Sequence, residues 1–208
     1  MTTPFELGDE LGPAKILHLA NPAVGLKAIV VVDNIAGGPA IGGTRMAPDV
    51  SLEECARLAR AMTYKNAAAG LAHGGAKSVI FADPLMEQEQ KETLIRAFAC
   101  SIRDVRGYIP GPDMGTDEMC MAWVHDEIGR SVGLPREMGG IPLDEIGATG
   151  FGIAVAAEVA QEFCDVKLDG ARIAVQGFGA VGQHAARQLA ARGAVLVAAA
   201  DSGNTITN

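Results

Sequence analysis

Nothing in this chain reaches the ~18–20 consecutive apolar residues of a membrane-spanning helix. Its opening residues are acidic and lack the apolar core of a secretory signal, so a cytoplasmic protein is expected. Basic residues are scarce. Lys and Arg total 17 against 25 Asp and Glu, the net charge is −8, and no basic cluster breaks that balance, which argues against a nucleic-acid surface. Cysteine is sparse as well: Cys55, Cys100, Cys120 and Cys164 stand in separate helix-like stretches without CxxC spacing. They are expected as reduced thiols of the core. His18, His73, His125 and His184 are scattered, so no metal site is expected and each histidine reads as a satisfied structural residue. No repeat or low-complexity tract appears. What remains is an ordinary globular composition, 49% hydrophobic and 20% charged, long enough for one large domain or two small ones.

The most informative stretch is 62–80, which leaves a helix and enters a strand with two lysines twelve residues apart. Ser51 is a good N-cap, and Glu54 has the offset that closes a capping box. Cys55, Leu58, Ala59 and Met62 follow the spacing of a core-facing helix side. One more turn brings that stripe to Lys65, an odd residue for a buried position. Lys77 follows Gly74 and Gly75 and precedes Ser78, Val79, Ile80 and Phe81, a short buried strand. Two lysines beside a glycine turn suggest a pocket that holds an anion and moves protons. The plainer alternative is a lysine snorkelling off a helix end and another flanking a strand.

Around this stretch the pattern is α/β. Residues 26–33 read as a strand, and 34–45 as a glycine-rich loop. The run from Gly70 to Ser78 approaches a phosphate-binding loop, but Ala76 separates glycine from lysine and breaks it. A long helix is expected over 86–106, with Leu94, Phe98 and Ile102 facing a sheet. Residues 108–109 make a short strand. Asp113 follows in a Pro/Gly turn, where aspartate ordinarily serves as turn former or cap. Helices are expected over 117–129 and 149–163, with 133–142 as a linker dense in Gly and Pro.

The last third carries a dinucleotide signature. A strand over 171–176 meets Gly177, Phe178, Gly179, Ala180, Val181 and Gly182, which open a helix ending near 192. A second strand, 194–200, delivers Asp201 at its carboxyl end. Glycines here permit a tight turn and close approach of a pyrophosphate, the helix N-terminus offers amide donors, and the aspartate can accept from a ribose hydroxyl. The combination reads as the first βαβ unit of a Rossmann domain, and the sequence ends where that unit is complete.

Residues 62–80, with Gly37, Gly38, Pro39, Ala40, Ile41, Gly42, Gly43, Thr44 and Arg45 upstream, resemble the glutamate/leucine/phenylalanine/valine dehydrogenase family. The similarity runs from about Lys15 to the last residue. It implies an α/β substrate-binding and dimerisation domain over 1–135 and the opening of an incomplete NAD(P)-binding Rossmann domain over 136–208. The implied reaction converts an L-amino acid, water and NAD(P)+ to a 2-oxo acid, ammonium and NAD(P)H. By resemblance, Lys65 holds the α-carboxylate, Lys77 activates water, and Asp113 shuttles a proton at the amino nitrogen. The role of Lys77 asks for an amine that releases its proton readily, which burial and a second lysine nearby would favour. Gly42 and Gly43 give the substrate close backbone approach, and Thr149 falls where the family contacts nicotinamide.

Glutamate enzymes of the family carry a lysine immediately before the Gly-Gly-x-Arg element; here the residue is Ile41, which implies a leucine- or valine-like substrate. NAD is the expected cofactor because Asp201 would repel a 2′-phosphate, with NADP left open. Partners are expected to be the amino acid, its 2-oxo acid and ammonium, with a homo-oligomer implied and neither nucleic acid nor membrane involved. Two other readings stand beside this one: a glutamate dehydrogenase with a different γ-carboxylate anchor, and a truncated, non-catalytic substrate-binding fragment.

Overall fold

The computed structural model describes residues 4–208 and divides into two units, one running to Ile141 and the other spanning Pro142–Asn208. The first unit is built on a five-stranded sheet. Its strands are β1 (Lys15–Asn21), β2 (Leu26–Val32), β3 (Ala40–Ala47), β4 (Ala76–Phe81) and β5 (Tyr108–Pro112), in the order β1-β2-β4-β3-β5. β2 runs antiparallel to both β1 and β4, while β4, β3 and β5 are mutually parallel.

β2 is apolar on both faces because helices cover both. On one side Ile29, Val31 and Val79 pack against Cys55 and Ala59 of α1 (Leu52–Ala68). On the other, Val30, Val32 and Ile80 meet Phe98 and Ile102 from α2 (Gln88–Ser101) and its C-cap, and Met121 from α3 (Glu118–Ile128). α3 is closed by its own chemistry. The Asp117 carboxylate accepts from the Cys120 amide at 2.9 Å, and Gly129 ends the helix with φ +68°.

The structure corrects several expectations. β1 is a strand without a clear sequence signature, and its exposed edge position explains the weak apolar signal. The supposed loop 34–45 contains most of β3, a strand inside the sheet. Four glycines obscure a clean alternation in which Ala40, Gly42, Thr44 and Met46 face inward. Glycine is unfavourable in strands in general, but it is retained where other backbone or side chains come close. α2 is also shorter than the helix expected over 86–106. Cys100 and Cys164 are exposed, whereas Cys55 and Cys120 are buried as expected. The buried Nδ1 of His125 has no hydrogen-bond partner, so that histidine is not fully satisfied.

In the second unit, β6 (Arg172–Gln176), β7 (Val195–Ala200) and β8 (Thr205–Thr207) lie side by side in that order. β6 and β7 are parallel, joined through α5 (Ala180–Ala190), and β8 turns back antiparallel to β7. α4 (Ala148–Ala160) crosses α5 closely. A Cβ on Gly150 would lie 2.5 Å from His184 Cβ, so that glycine permits the approach. Among the described residues no helix is long and apolar enough to cross a membrane, and no His, Cys, Asp and Glu group could hold a metal ion.

Candidate functional site

Lys77 and Asp113 meet on the α1 side of the sheet. Lys77 sits on β4 and Asp113 just past β5, and β3 lies between those strands. The lysine ammonium is ion-paired with Asp113 Oδ2, so the contact passes over β3. Gly43 makes the crossing possible: a Cβ there would stand 2.8 Å from Asp113 Cβ and 2.9 Å from the Pro112 carbonyl. Gly42 has a different constraint, since its Cβ would fall 1.6 Å from the Ala76 carbonyl oxygen. It allows β3 to lie close against the start of β4, where Ala76 leads into Lys77.

Lys77 is 6% exposed, and Asp113 is half-buried. Burial raises the Asp113 carboxyl, but the hydrogen bond and charge of Lys77, the Met114 amide and the charge of Arg45 outweigh it. The net result holds the group below the ordinary carboxylate value. Arg45 Nε donates to Asp113 Oδ2 at 3.2 Å, and its Nη1 donates to Glu54 Oε1 at 2.5 Å. Sequence reasoning does not place Arg45 or Glu54 in this cluster. The available signal is parity, since Arg45 is two residues beyond Gly43 and so shares its face of β3. Ser51 caps α1 as expected, accepting from the Glu54 amide at 3.1 Å, but the Glu54 carboxylate that would complete a capping box goes to Arg45. Asp113 is neither helix cap nor simple turn former. Its turn is pinned by Thr116, whose hydroxyl accepts from the Asp113 amide at 3.0 Å and donates to the Thr44 carbonyl at 2.7 Å.

Lys65 lies elsewhere than the extended stripe implied. It is exposed in the last turn of α1, and the buried residue there is Asn66. The helical repeat explains the difference: at 3.6 residues per turn the stripe from Cys55 returns near position 66, not 65. Asn66 Nδ2 donates to the Gly74 carbonyl at 2.7 Å, and the Ile41 amide donates to the same oxygen at 3.0 Å. One carbonyl thus ties the helix end, the glycine turn and the start of β3 together. Ile41 is half-buried on the same face as Gly43 and Arg45, and its partner across the ladder is Ile109.

The glycine-rich turn occupies the position between β6 and α5. Gly177 has φ +88°, and a Cβ on Gly182 would stand 2.0 Å from the Gly177 carbonyl oxygen. Gly179 is the N-cap of α5 and supplies no side-chain cap, so first-turn amides beside Ala180 and Val181 are available to a ligand. The Phe178 carbonyl accepts from Gln183 Nε2 at 2.9 Å. Asp201 follows β7; its Oδ1 accepts from the amides of Asn204 and Gly203 at 2.7 and 2.8 Å, and these bonds hold its carboxyl low. Thr149 is exposed in the first turn of α4. A turn shaped by glycine, an uncapped helix start and an acidic residue after the next strand fit a dinucleotide.

Comparison with known proteins identifies the family. The family model described as Glu/Leu/Phe/Val dehydrogenase, dimerisation domain, matches residues 16–130. The model described as Glutamate/Leucine/Phenylalanine/Valine dehydrogenase matches 139–208. A glutamate dehydrogenase of Aeropyrum pernix is 40% identical over 182 residues, covering 81% of this chain and 43% of that protein. A leucine dehydrogenase of Geobacillus stearothermophilus is 38% identical over 192 residues, covering 88% and 51%. The crystal structure of the hetero-hexameric glutamate dehydrogenase from Thermus thermophilus, in its leucine-bound form, superposes with a TM-score of 0.83 at 32% identity. That superposition covers 94% of this chain and 52% of the other. The chain spans about half the length of the curated relatives it matches.

Proposed function

Since the chain belongs to the glutamate/leucine/phenylalanine/valine dehydrogenase family, we propose that the protein carrying it catalyses NAD(P)-dependent oxidative deamination of a branched or apolar L-amino acid. The observation that carries this reading is the Lys77–Asp113 pair, held across Gly43 on one face of the sheet. The pair gives an amine and a carboxylate in direct contact, so a proton can pass between them without entering bulk water.

In this mechanism Lys65 anchors the substrate α-carboxylate. Its exposure leaves the ammonium free to meet an anion. Lys77 takes the proton of the water that attacks the substrate carbon, and Asp113 carries a proton to the departing nitrogen. Gly43 keeps the floor of the site low, and Gly42, which faces the other side of the sheet, lets the β3 backbone lie close to Ala76 and so brings it under the substrate. Gly177, Phe178, Gly179, Ala180, Val181 and Gly182 would hold the pyrophosphate, Asp201 the adenosine ribose, and Thr149 the nicotinamide. The bound dinucleotide supplies a hydride acceptor for the substrate Cα. NAD is the better fit, because the Asp201 carboxylate repels a 2′-phosphate.

Ile41 and Ile109 stand side by side on the same face as Gly43, and a wall of two isoleucines suits an aliphatic side chain better than a carboxylate. The protein is further proposed to be cytoplasmic and oligomeric; the words dimerisation domain in the family description support the second point. The test is the production of reduced nicotinamide from leucine, valine and glutamate, with NAD+ and with NADP+, by the family-length protein that contains these residues. Leucine or valine with NAD+ is expected to give the highest kcat/KM. No turnover of any amino acid would overturn the dehydrogenase reading, and a preference for glutamate would overturn its substrate class.

A further inference from the structure

Asp113 Oδ2 receives two cations from two different strands, Lys77 from β4 and Arg45 from β3. They are not equivalent. A lysine that acts as a base must lose its charge at some point in the cycle, whereas a guanidinium stays charged throughout. Burial pushes the Asp113 carboxyl up, so an Asp113 left without any cation would hold a proton more readily and accept one less readily.

We propose that Arg45 is a positioning residue, which keeps the Asp113 carboxylate in place and available while Lys77 changes its protonation state, and that Glu54 braces the guanidinium from behind. This rests on the reading of Lys77 and Asp113 as the proton-moving pair. The geometry is a clamp, with one planar guanidinium donating through Nε to Asp113 at 3.2 Å and through Nη1 to Glu54 at 2.5 Å. The two carboxylates come from different elements, the turn after β5 and the first turn of α1, and all three side chains are partly buried. A fork held at both prongs cannot swing away from Asp113 when Lys77 moves. Glu54 leaves the capping box incomplete in order to make this contact, since only its amide, not its carboxylate, engages Ser51.

Among the described residues, the charged and titratable groups that act on Asp113 are Lys77 on β4, Arg45 on β3 and Tyr108 on β5, with Glu54 of α1 behind Arg45 and Cys55 of α1 beside Lys77. Of these only Lys77 and Arg45 lower the carboxyl through their charge. Removing them one at a time therefore separates their contributions.

The experiment follows the carboxyl-carbon NMR signal of Asp113 through an acid titration of the 208-residue chain, in wild type, Lys77→Ala, Arg45→Gln, Arg45→Lys and the Lys77→Ala/Arg45→Gln pair. In Lys77→Ala the Asp113 midpoint is expected to stay below the ordinary carboxylate value, because Arg45 remains. In the double variant it is expected to rise above that of either single variant, burial then being opposed only by the Met114 amide. Arg45→Gln alone should raise the midpoint from wild type, and Arg45→Lys should recover most of the difference by restoring the charge. The proposal is overturned if Lys77→Ala alone brings Asp113 to or above its ordinary value, or if Arg45→Gln leaves the midpoint unmoved. Should Arg45→Gln fail to fold, Lys77→Ala still decides, since it leaves the clamp intact. The readout needs neither substrate nor turnover, so a failed dehydrogenase assay would leave this result standing.

Discussion

Lys77 and Asp113 touch across a strand that belongs to neither of them, over Gly43, the one residue without a side chain on that face of β3. Parallel pairing of β4, β3 and β5 brings them into range, and the register of Thr44 with Ser78 and with Pro112 sets how far along the strands they meet. Fold and chemistry are therefore joined at a single position.

Replacing Lys77 by alanine in the family-length protein should cut kcat by about 10²–10⁴-fold, the usual contribution of a general acid–base group. Cofactor affinity should change little, because the glycine-rich turn between β6 and α5 belongs to the other unit. Lys65→Ala should act mainly on KM, since its proposed task is to grip the substrate. Steady-state kinetics with a separate cofactor titration distinguish the two. A Lys77→Ala enzyme that kept more than about a tenth of its rate would remove the lysine from its assigned role.

Gly43→Ala tests the crossing itself. The new methyl group would lie 2.8 Å from Asp113 Cβ and 2.9 Å from the Pro112 carbonyl, so the aspartate turn must move. Overpacking of this kind costs about 1–3 kcal/mol in stability, while a displacement of about 1 Å at reacting groups can cost about 10²-fold in rate. The chain is expected to stay folded by circular dichroism, with the Lys77–Asp113 pair broken and kcat reduced. Unchanged kinetics in a folded Gly43→Ala protein would show that the pair tolerates displacement.

Much of this is legible in the sequence, and the omissions have physical causes. Val-rich β2, capped α1 and α3, and the glycine turn before α5 each announce themselves locally, through alternation, capping residues or glycine spacing. β3 does not, because its glycines answer to atoms distant in sequence, the Ala76 carbonyl and the Asp113 side chain. Arg45 and Glu54 escape notice for the same reason: their pairing is a tertiary event between the end of one strand and the start of a helix. The assignment of Lys65 to the buried stripe fails by one residue, because a pattern carried over several turns drifts to Asn66.

Acid stability provides a second view of Asp113. Its carboxyl in the folded protein is held below its ordinary value of 3.8 by Lys77 and Arg45 despite burial. The unfolded chain therefore binds the proton more readily. The ion pair contributes stability that is fully present above the unfolded value and is lost as pH falls through the folded one. Asp113→Asn removes that dependence. Urea midpoints for the two proteins should differ most near neutrality and converge as pH drops below about 4, within the titration range of an ordinary carboxylate. A gap that widened on acidification would contradict a depressed Asp113 carboxyl in the folded protein.

The last prediction concerns Ile41 in the family-length protein. Glutamate placed against Ile41 and Ile109 would lose water from its γ-carboxylate and gain no cation from either side chain. Burying a charge without a partner costs several kcal/mol even after relaxation. About 3 kcal/mol already exceeds 100-fold in specificity, since each ~1.4 kcal/mol is tenfold. Leucine or valine would instead bury methyl groups there, at about 0.8 kcal/mol per CH₂. Leucine or valine should therefore show a higher kcat/KM than glutamate, and Ile41→Lys should move the preference toward glutamate. The move should be partial, because Ile109 remains beside the new ammonium and offers a carboxylate no second polar contact. Ile41 also lies on β3 with its amide fixed to the Gly74 carbonyl, so the substitution changes the wall without releasing the strand. Measuring kcat/KM for leucine, valine and glutamate on both proteins decides the matter. If the unmutated enzyme already prefers glutamate, another residue anchors the γ-carboxylate and Ile41 does not set the substrate.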